Sequence, residues 1–124
     1  MKTILRTLII ICVITPLLSF DLFNVSICSA TWYDTSRHPI VHRPHSTAAI
    51  SRNLIQKMGL TVGIKHRNIK GSFLMVTNVF NNKVDTVEIT DVCGYVNHVD
   101  LSKYSFGKLA NHGQGKIKVV VKKI

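Results

Sequence analysis

Residues 86–102, which read Thr-Val-Glu-Ile-Thr-Asp-Val-Cys-Gly-Tyr-Val-Asn-His-Val-Asp-Leu-Ser, constrain this chain more than any other stretch. Val87 and Ile89 alternate with polar residues, the period of a half-buried strand. That strand runs into Asp91, a turn at Gly94 and then Asp100, just ahead of Ser102, a helix-start residue. A carboxylate at a strand end, with apolar neighbours and a glycine that lets the backbone turn away, is how a fold presents one acid to a groove. Loop aspartates also cap turns, so the stretch alone leaves both roles open for Asp91 and Asp100.

The front of the chain reads as an export signal. Lys2 and Arg6 precede the apolar run 8–18, and Cys28-Ser29-Ala30 offers the small residues that a signal peptidase reads. The expected division is a signal peptide over residues 1–30 and one domain over residues 31–124. The apolar run is shorter than the roughly 18 residues that span a bilayer, and Pro16 interrupts it, so no stable membrane anchor is expected. Ile27 is too large to precede a lipidated cysteine, which argues against a lipoprotein. The expected location is therefore exported, periplasmic or extracellular. Cleavage after Ala30 would remove Cys12 and Cys28 and leave Cys93 as the lone thiol, with no internal disulfide.

Beyond Ala30 there are 14 Lys and Arg against 5 acids, a net of +9. Such a surface collects on polyanions; outside the cytoplasm these are cell-wall polymers, headgroups or extracellular nucleic acid. The basic residues run from Arg37 to Lys123 with no helix-turn-helix or zinc-finger pattern, so no nucleic-acid partner is expected. His38, His42 and His45 share a loop with Pro39 and Pro44. Pro39 prevents His38 and His42 from sharing a helix face, and no cysteine or acid completes a ligand set nearby, so neither metal nor other cofactor is expected.

Trp32 and Tyr33 open the expected domain as a strand start or groove lining. Ile50, Leu54, Ile55 and Met58 fall at helical spacing over residues 47–58, between a Ser46 cap and a Gly59 stop. Strands are expected over 72–77 and 84–90, joined by a turn at Asn81-Asn82, and over 116–124; Ser102 caps a helix over 103–111. Short strands and two short helices in so few residues argue for an all-β, closed or partly closed barrel, because the chain is too short for two full sheets. A monomer is expected.

The run Gly71-Ser72-Phe73-Leu74-Met75-Val76-Thr77-Asn78, then Val87-Glu88-Ile89-Thr90-Asp91, Gly94 and Val99-Asp100-Leu101-Ser102, resembles the rare lipoprotein A (RlpA) domain. Ala30-Thr31-Trp32-Tyr33 resembles that family's start, so the likeness spans nearly all of residues 31–124. The resemblance implies a six-stranded double-psi β-barrel, shared with barwin and expansin relatives, and a lytic transglycosylase that cuts naked peptidoglycan strands to leave 1,6-anhydro ends. It carries Asp91 over as the catalytic acid; Trp32, Tyr33, His66 and Tyr95 are expected to line a glycan groove, and Asp100 and Gly94 to be structural. Peptidoglycan strands, or other anionic wall polymers, would be the partners. Because the sugar's own 6-hydroxyl is the nucleophile, one carboxyl can act first as acid and then as base, with Ile89 and Val92 shielding it. Two departures stand out. Thr47-Ala48 is followed by Ala49-Ile50-Ser51 where the family has a glycine and an active-site glutamate, and the Asp-Arg-Gly-Pro turn is Asp91-Val92-Cys93-Gly94-Tyr95. They favour an alternative, a non-catalytic, basic wall-polysaccharide-binding module of expansin type. A secreted protein acting on a host or competitor partner is a third reading.

Overall fold

The computed structural model describes residues 24–34 and 46–124. The histidine loop with His38, His42 and His45, and most of the expected signal segment, including Cys12, lie outside the described residues. Six strands and two short helices follow in the order β1 (Val25–Tyr33), β2 (Thr47–Ser51), α1 (Arg52–Met58), β3 (Phe73–Asn78), β4 (Val84–Cys93), β5 (His98–Ser102), α2 (Lys103–Leu109) and β6 (Ile117–Lys123). The strands close in the order β1-β5-β2-β4-β3-β6, with β6 returning to β1. β1/β5 and β2/β4 run parallel and the other pairs antiparallel. This is the expected six-stranded double-psi β-barrel, and closure leaves none of these strands as an open edge.

The alternation seen in the sequence fills the barrel. Leu74, Val76, Val87, Ile89, Val99 and Leu101 point inward and are fully buried, and Val119 and Val121 complete the wall from β6. α2 closes the barrel with Phe106 and Leu109, both fully buried; Ser102 caps it by accepting a hydrogen bond from the Ser105 N–H at 3.2 Å. α1 buries Leu54 and Met58 and stops at Gly59, whose φ of 61° is the left-handed region that glycine enters without strain.

Two expectations change. The helix expected over residues 47–58 begins only at Arg52, because Thr47–Ser51 pairs with both β4 and β5 and burial between two strands outweighs its helical spacing. Gly94 lies in a bend with no positive φ and open space around it, so the turn does not depend on a glycine there; the left-handed residue of that connection is Asn97, φ 48°. Gly71 is the glycine the fold needs: a Cβ there would lie 1.9 Å from the Ile89 carbonyl oxygen, where the incoming chain crosses β4. Strand β1 is continuous across Ala30. The boundary expected after Ala30 runs through the middle of this strand, and residues 25–30 are the half that pairs with β6 while Ser29 to Tyr33 pair with β5. Cys28 and Ala30, expected to lie before or at the cut, are core residues.

Candidate functional site

One irregularity positions the acids. The register of β2 against β4 shifts between Ala48 and Ala49: Ala48 faces Ile89, but Ala49 faces Asp91, so Thr90 is an extra residue. A bulge of this kind re-aims a side chain. Thr90 and Asp91 are both exposed on the outside of the barrel, while Ile89 stays in the core. Ala49 also faces Asp100 on β5, and Asp100 faces Thr31 on β1. A single row therefore crosses four strands as Asp91, Ala49, Asp100, Thr31. The two carboxyl-bearing residues stand two strand spacings apart, roughly 10 Å at the backbone, with only a methyl group between them.

Asp100 is held from one side. The Thr31 hydroxyl donates to its Oδ1 at 2.9 Å, and His98 Nε2 lies 2.7 Å from the same hydroxyl oxygen. Since the Thr31 proton is given to Asp100, His98 Nε2 carries its own proton and donates it, making a relay His98 to Thr31 to Asp100. His98 is buried, which together with the nearby Lys116 ammonium holds its pKa below the ordinary value against the opposing pull of Asp100. Tyr95 covers His98 with ring centroids 5.0 Å apart. On the other flank the Tyr33 hydroxyl shares a hydrogen bond with Thr47 Oγ1 at 3.0 Å. Burial raises the Tyr33 pKa, and the charges of Asp100 and Asp91 raise it further.

Asp91, the expected catalytic acid, is exposed, and its Oδ1 accepts the N–H of Val92 at 2.7 Å. The apolar shielding expected from Ile89 is absent because that side chain points the other way, and Val92 is itself exposed. Asp100, expected to be structural, faces the same row as Asp91. Tyr33 and Tyr95 flank that row; Trp32 and His66 do not. Trp32 alternates to the opposite side of β1, where its Nε1 donates to the His112 carbonyl at 3.1 Å and its ring packs against Phe106 and His112. His66 is exposed in a single 3-10 turn (Lys65–Arg67) and, among the described residues, no hydrogen bond or ring contact joins it to the acids. Thr31, Ala49 and His98 were not singled out from the sequence. His98 carried a readable signal, since it lies two residues before Asp100 on a strand and so shares its face; Thr31 carried none, because it meets Asp100 only by pairing across 69 residues. Cys93 lies at the rim, its thiol 3.8 Å from the His98 carbonyl, and burial pushes its pKa up; the core thiol of Cys28 is pushed up to about 12 by burial and then by Cys93. Burial therefore disfavours the thiolate at both positions.

Solved structures share this barrel. The expansin of Clavibacter michiganensis, as a D78N mutant in complex with cellohexaose, superposes with a TM-score of 0.60 at 20% identity over 81% of this chain and 50% of that chain. The apo form of the same expansin gives 0.61 at 21% identity over the same shares. The Streptomyces papain inhibitor gives 0.57 at 21% identity, covering 81% of this chain and 94% of its own. The fold is expansin-like. This chain spans about half the length of the expansin it matches. No protein-family model and no curated protein matches the sequence. Among the described residues of this expansin-like barrel no helix is long and apolar enough to cross a membrane, and no cluster of His, Cys, Asp or Glu is arranged to hold a metal ion.

Proposed function

We propose that this expansin-like barrel is an exported module that holds an extended polysaccharide strand, a wall glycan, along the outer face of its four-strand acid row. The observation that carries this reading is the row itself. Asp91 and Asp100 stand either side of Ala49, whose single methyl leaves a shallow trough between them, and tyrosines flank both sides. Sugars need this combination: carboxylates accept hydroxyl protons, and aromatic faces cover the apolar side of a pyranose ring. An open strip suits a polymer that enters sideways better than a closed pocket would. The cellohexaose complex of the Clavibacter expansin supports a glycan ligand, and the RlpA-like sequence run supports a peptidoglycan strand as that glycan. The test is co-sedimentation with purified wall sacculi. Wild type is expected to pellet and the Asp91→Asn/Asp100→Asn double variant to stay in solution; equal pelleting of the two would overturn the reading.

A second reading, lytic cleavage of the bound strand, is favoured by the presence of two carboxyl groups on one face. One carboxyl would protonate the glycosidic oxygen as the C1–O bond breaks, and the 6-hydroxyl oxygen would bond to C1 while its proton passes to the carboxylate. Product analysis on stripped glycan strands decides this. Absence of 1,6-anhydro ends with wild type, or their undiminished appearance with Asp91→Asn and with Asp100→Asn, removes the chemistry and leaves the holding role intact.

A further inference from the structure

A second concavity lies beside the acid row. It is an open cleft of about 670 Å³ whose lining includes Ile27, Ser29, Phe80, Asn97, Lys116 and Lys118. That volume falls among those of small-ligand sites, roughly 300–1,000 Å³. Its lining combines two ammonium groups, an aromatic ring 85% exposed at Phe80 and the apolar Ile27, 59% exposed, and contains no acid. Among the described residues no carboxylate pairs with Lys116 or Lys118.

The strand register joins this cleft to the acid row. Ser29 faces Lys118 on β6 and His98 on β5, and two residues further along β1 Thr31 faces Asp100. Outward side chains on β1 thus run Ile27, Ser29, Thr31, Tyr33 as one strip, about 20 Å from end to end. The lysine-bearing row adjoins the acid row at about 7 Å, one side-chain repeat along the strand. An extended chain lying on Tyr33 and Asp100 reaches Phe80 and the lysines if it continues along β1.

We infer that the Phe80/Lys116/Lys118 cleft is a subsite of the same binding face that takes a carboxylate-bearing sugar of the bound strand, so that the module selects acidic over neutral polysaccharides. This rests on the glycan-holding reading above. Phe80 would lie on the apolar face of the sugar and the two ammonium groups would receive its carboxylate. Because both lysines are solvated, selection is modest and weakens with salt.

The test is calorimetric titration at fixed ionic strength with two probes of equal length, cellohexaose and a hexauronate. Wild type is expected to bind the hexauronate roughly tenfold tighter, the scale that two exposed ion pairs supply. Lys116→Gln/Lys118→Gln is expected to abolish that preference while leaving cellohexaose affinity unchanged, and Phe80→Ala to weaken both probes. All of these residues are exposed, and a melting curve verifies that each variant is folded. Equal affinity of wild type for both probes would overturn the subsite, and so would a preference that survives the double lysine variant. A polyphosphate of equal charge that displaces the hexauronate equally well from wild type and from Phe80→Ala would also overturn it, since the lysines would then act as bulk charge. Asp100→Asn separates the two readings. If it weakens both probes while the lysine pair has no effect, the acid row holds glycan and the cleft does not; if it affects neither probe while the lysine pair does, the cleft binds and the acid-row reading falls.

Discussion

Asp85 and Asp100 are the same side chain on two barrel strands, Asp85 on the inward face of β4 with Val87 and Ile89 and Asp100 on the outward face of β5, and the barrel uses them in opposite ways. Asp85 is enclosed: Ser46 Oγ and Ser105 Oγ donate to its Oδ2 at 2.5 and 2.8 Å, Lys108 Nζ approaches Oδ1 at 3.5 Å, and its side chain is only 11% exposed. Its hydrogen-bonding capacity is taken up in tying the start of β2 and helix α2 to β4. Asp100 has one hydroxyl donor, Thr31, and stands in a row with a second acid across a methyl group. The difference lies in what packs above the strand. α2 covers Asp85, whereas the bulge at Thr90 leaves Asp91 exposed beside Ala49, in the row that holds Asp100. Covered acids hold a fold together and open ones remain available to a ligand.

The sharpest way to break this comparison is to remove what both regions share. A chain starting at Thr31 lacks the six residues that pair β1 with β6, and it is expected to show no cooperative unfolding, whereas one starting at Asn24 melts cooperatively. Cooperative melting of the shorter chain would show that β1 is needed only for its pairing with β5. Next in size is Asp85→Ala, expected to cost about 3 kcal/mol in denaturant titrations, because the buried Ser105 hydroxyl and the half-buried Ser46 hydroxyl lose a charged acceptor, with binding to wall glycan unchanged. Asp100→Asn should do the reverse, costing less than about 1 kcal/mol of stability and weakening glycan binding about tenfold. If the two variants behaved alike, the distinction between covered and open acids would fail. The smallest effect is on pH dependence. His98 has a pKa held below its ordinary value, so the unfolded chain binds a proton that the folded chain resists. Its contribution to stability is complete above the unfolded value of about 6.5 and is lost as pH falls towards the folded pKa. Denaturation midpoints taken from about pH 8 to about pH 5 should therefore fall more steeply for wild type than for His98→Gln.

The barrel was legible because alternation survives folding. Val87 and Ile89, and Ile117, Val119 and Val121, sit inward as their spacing requires. The hairpin at Asn81-Asn82 and the Ser102 cap were readable for the same local reason. The segment 47–51 was misread as helix because Ile50 falls in register with Leu54, and no local cue shows that this segment will be inserted between β4 and β5. Trp32 and Tyr33 are both expected in one groove, but adjacent residues on a strand point to opposite faces, and only the docking of α2 shows that the Trp32 face is the covered one.

Of the site itself, the residue types and their strands are written in the sequence: two aspartates nine positions apart, each ending or interrupting an apolar alternation, and a chain with a large positive charge. That both acids face one row across β2 was decided by tertiary structure. A one-residue bulge set the register of β4 against β2, and a parallel pairing across 69 residues brought Thr31 to Asp100. Register between distant strands is fixed by the summed packing of the closed barrel, an energy that no local stretch of sequence contains.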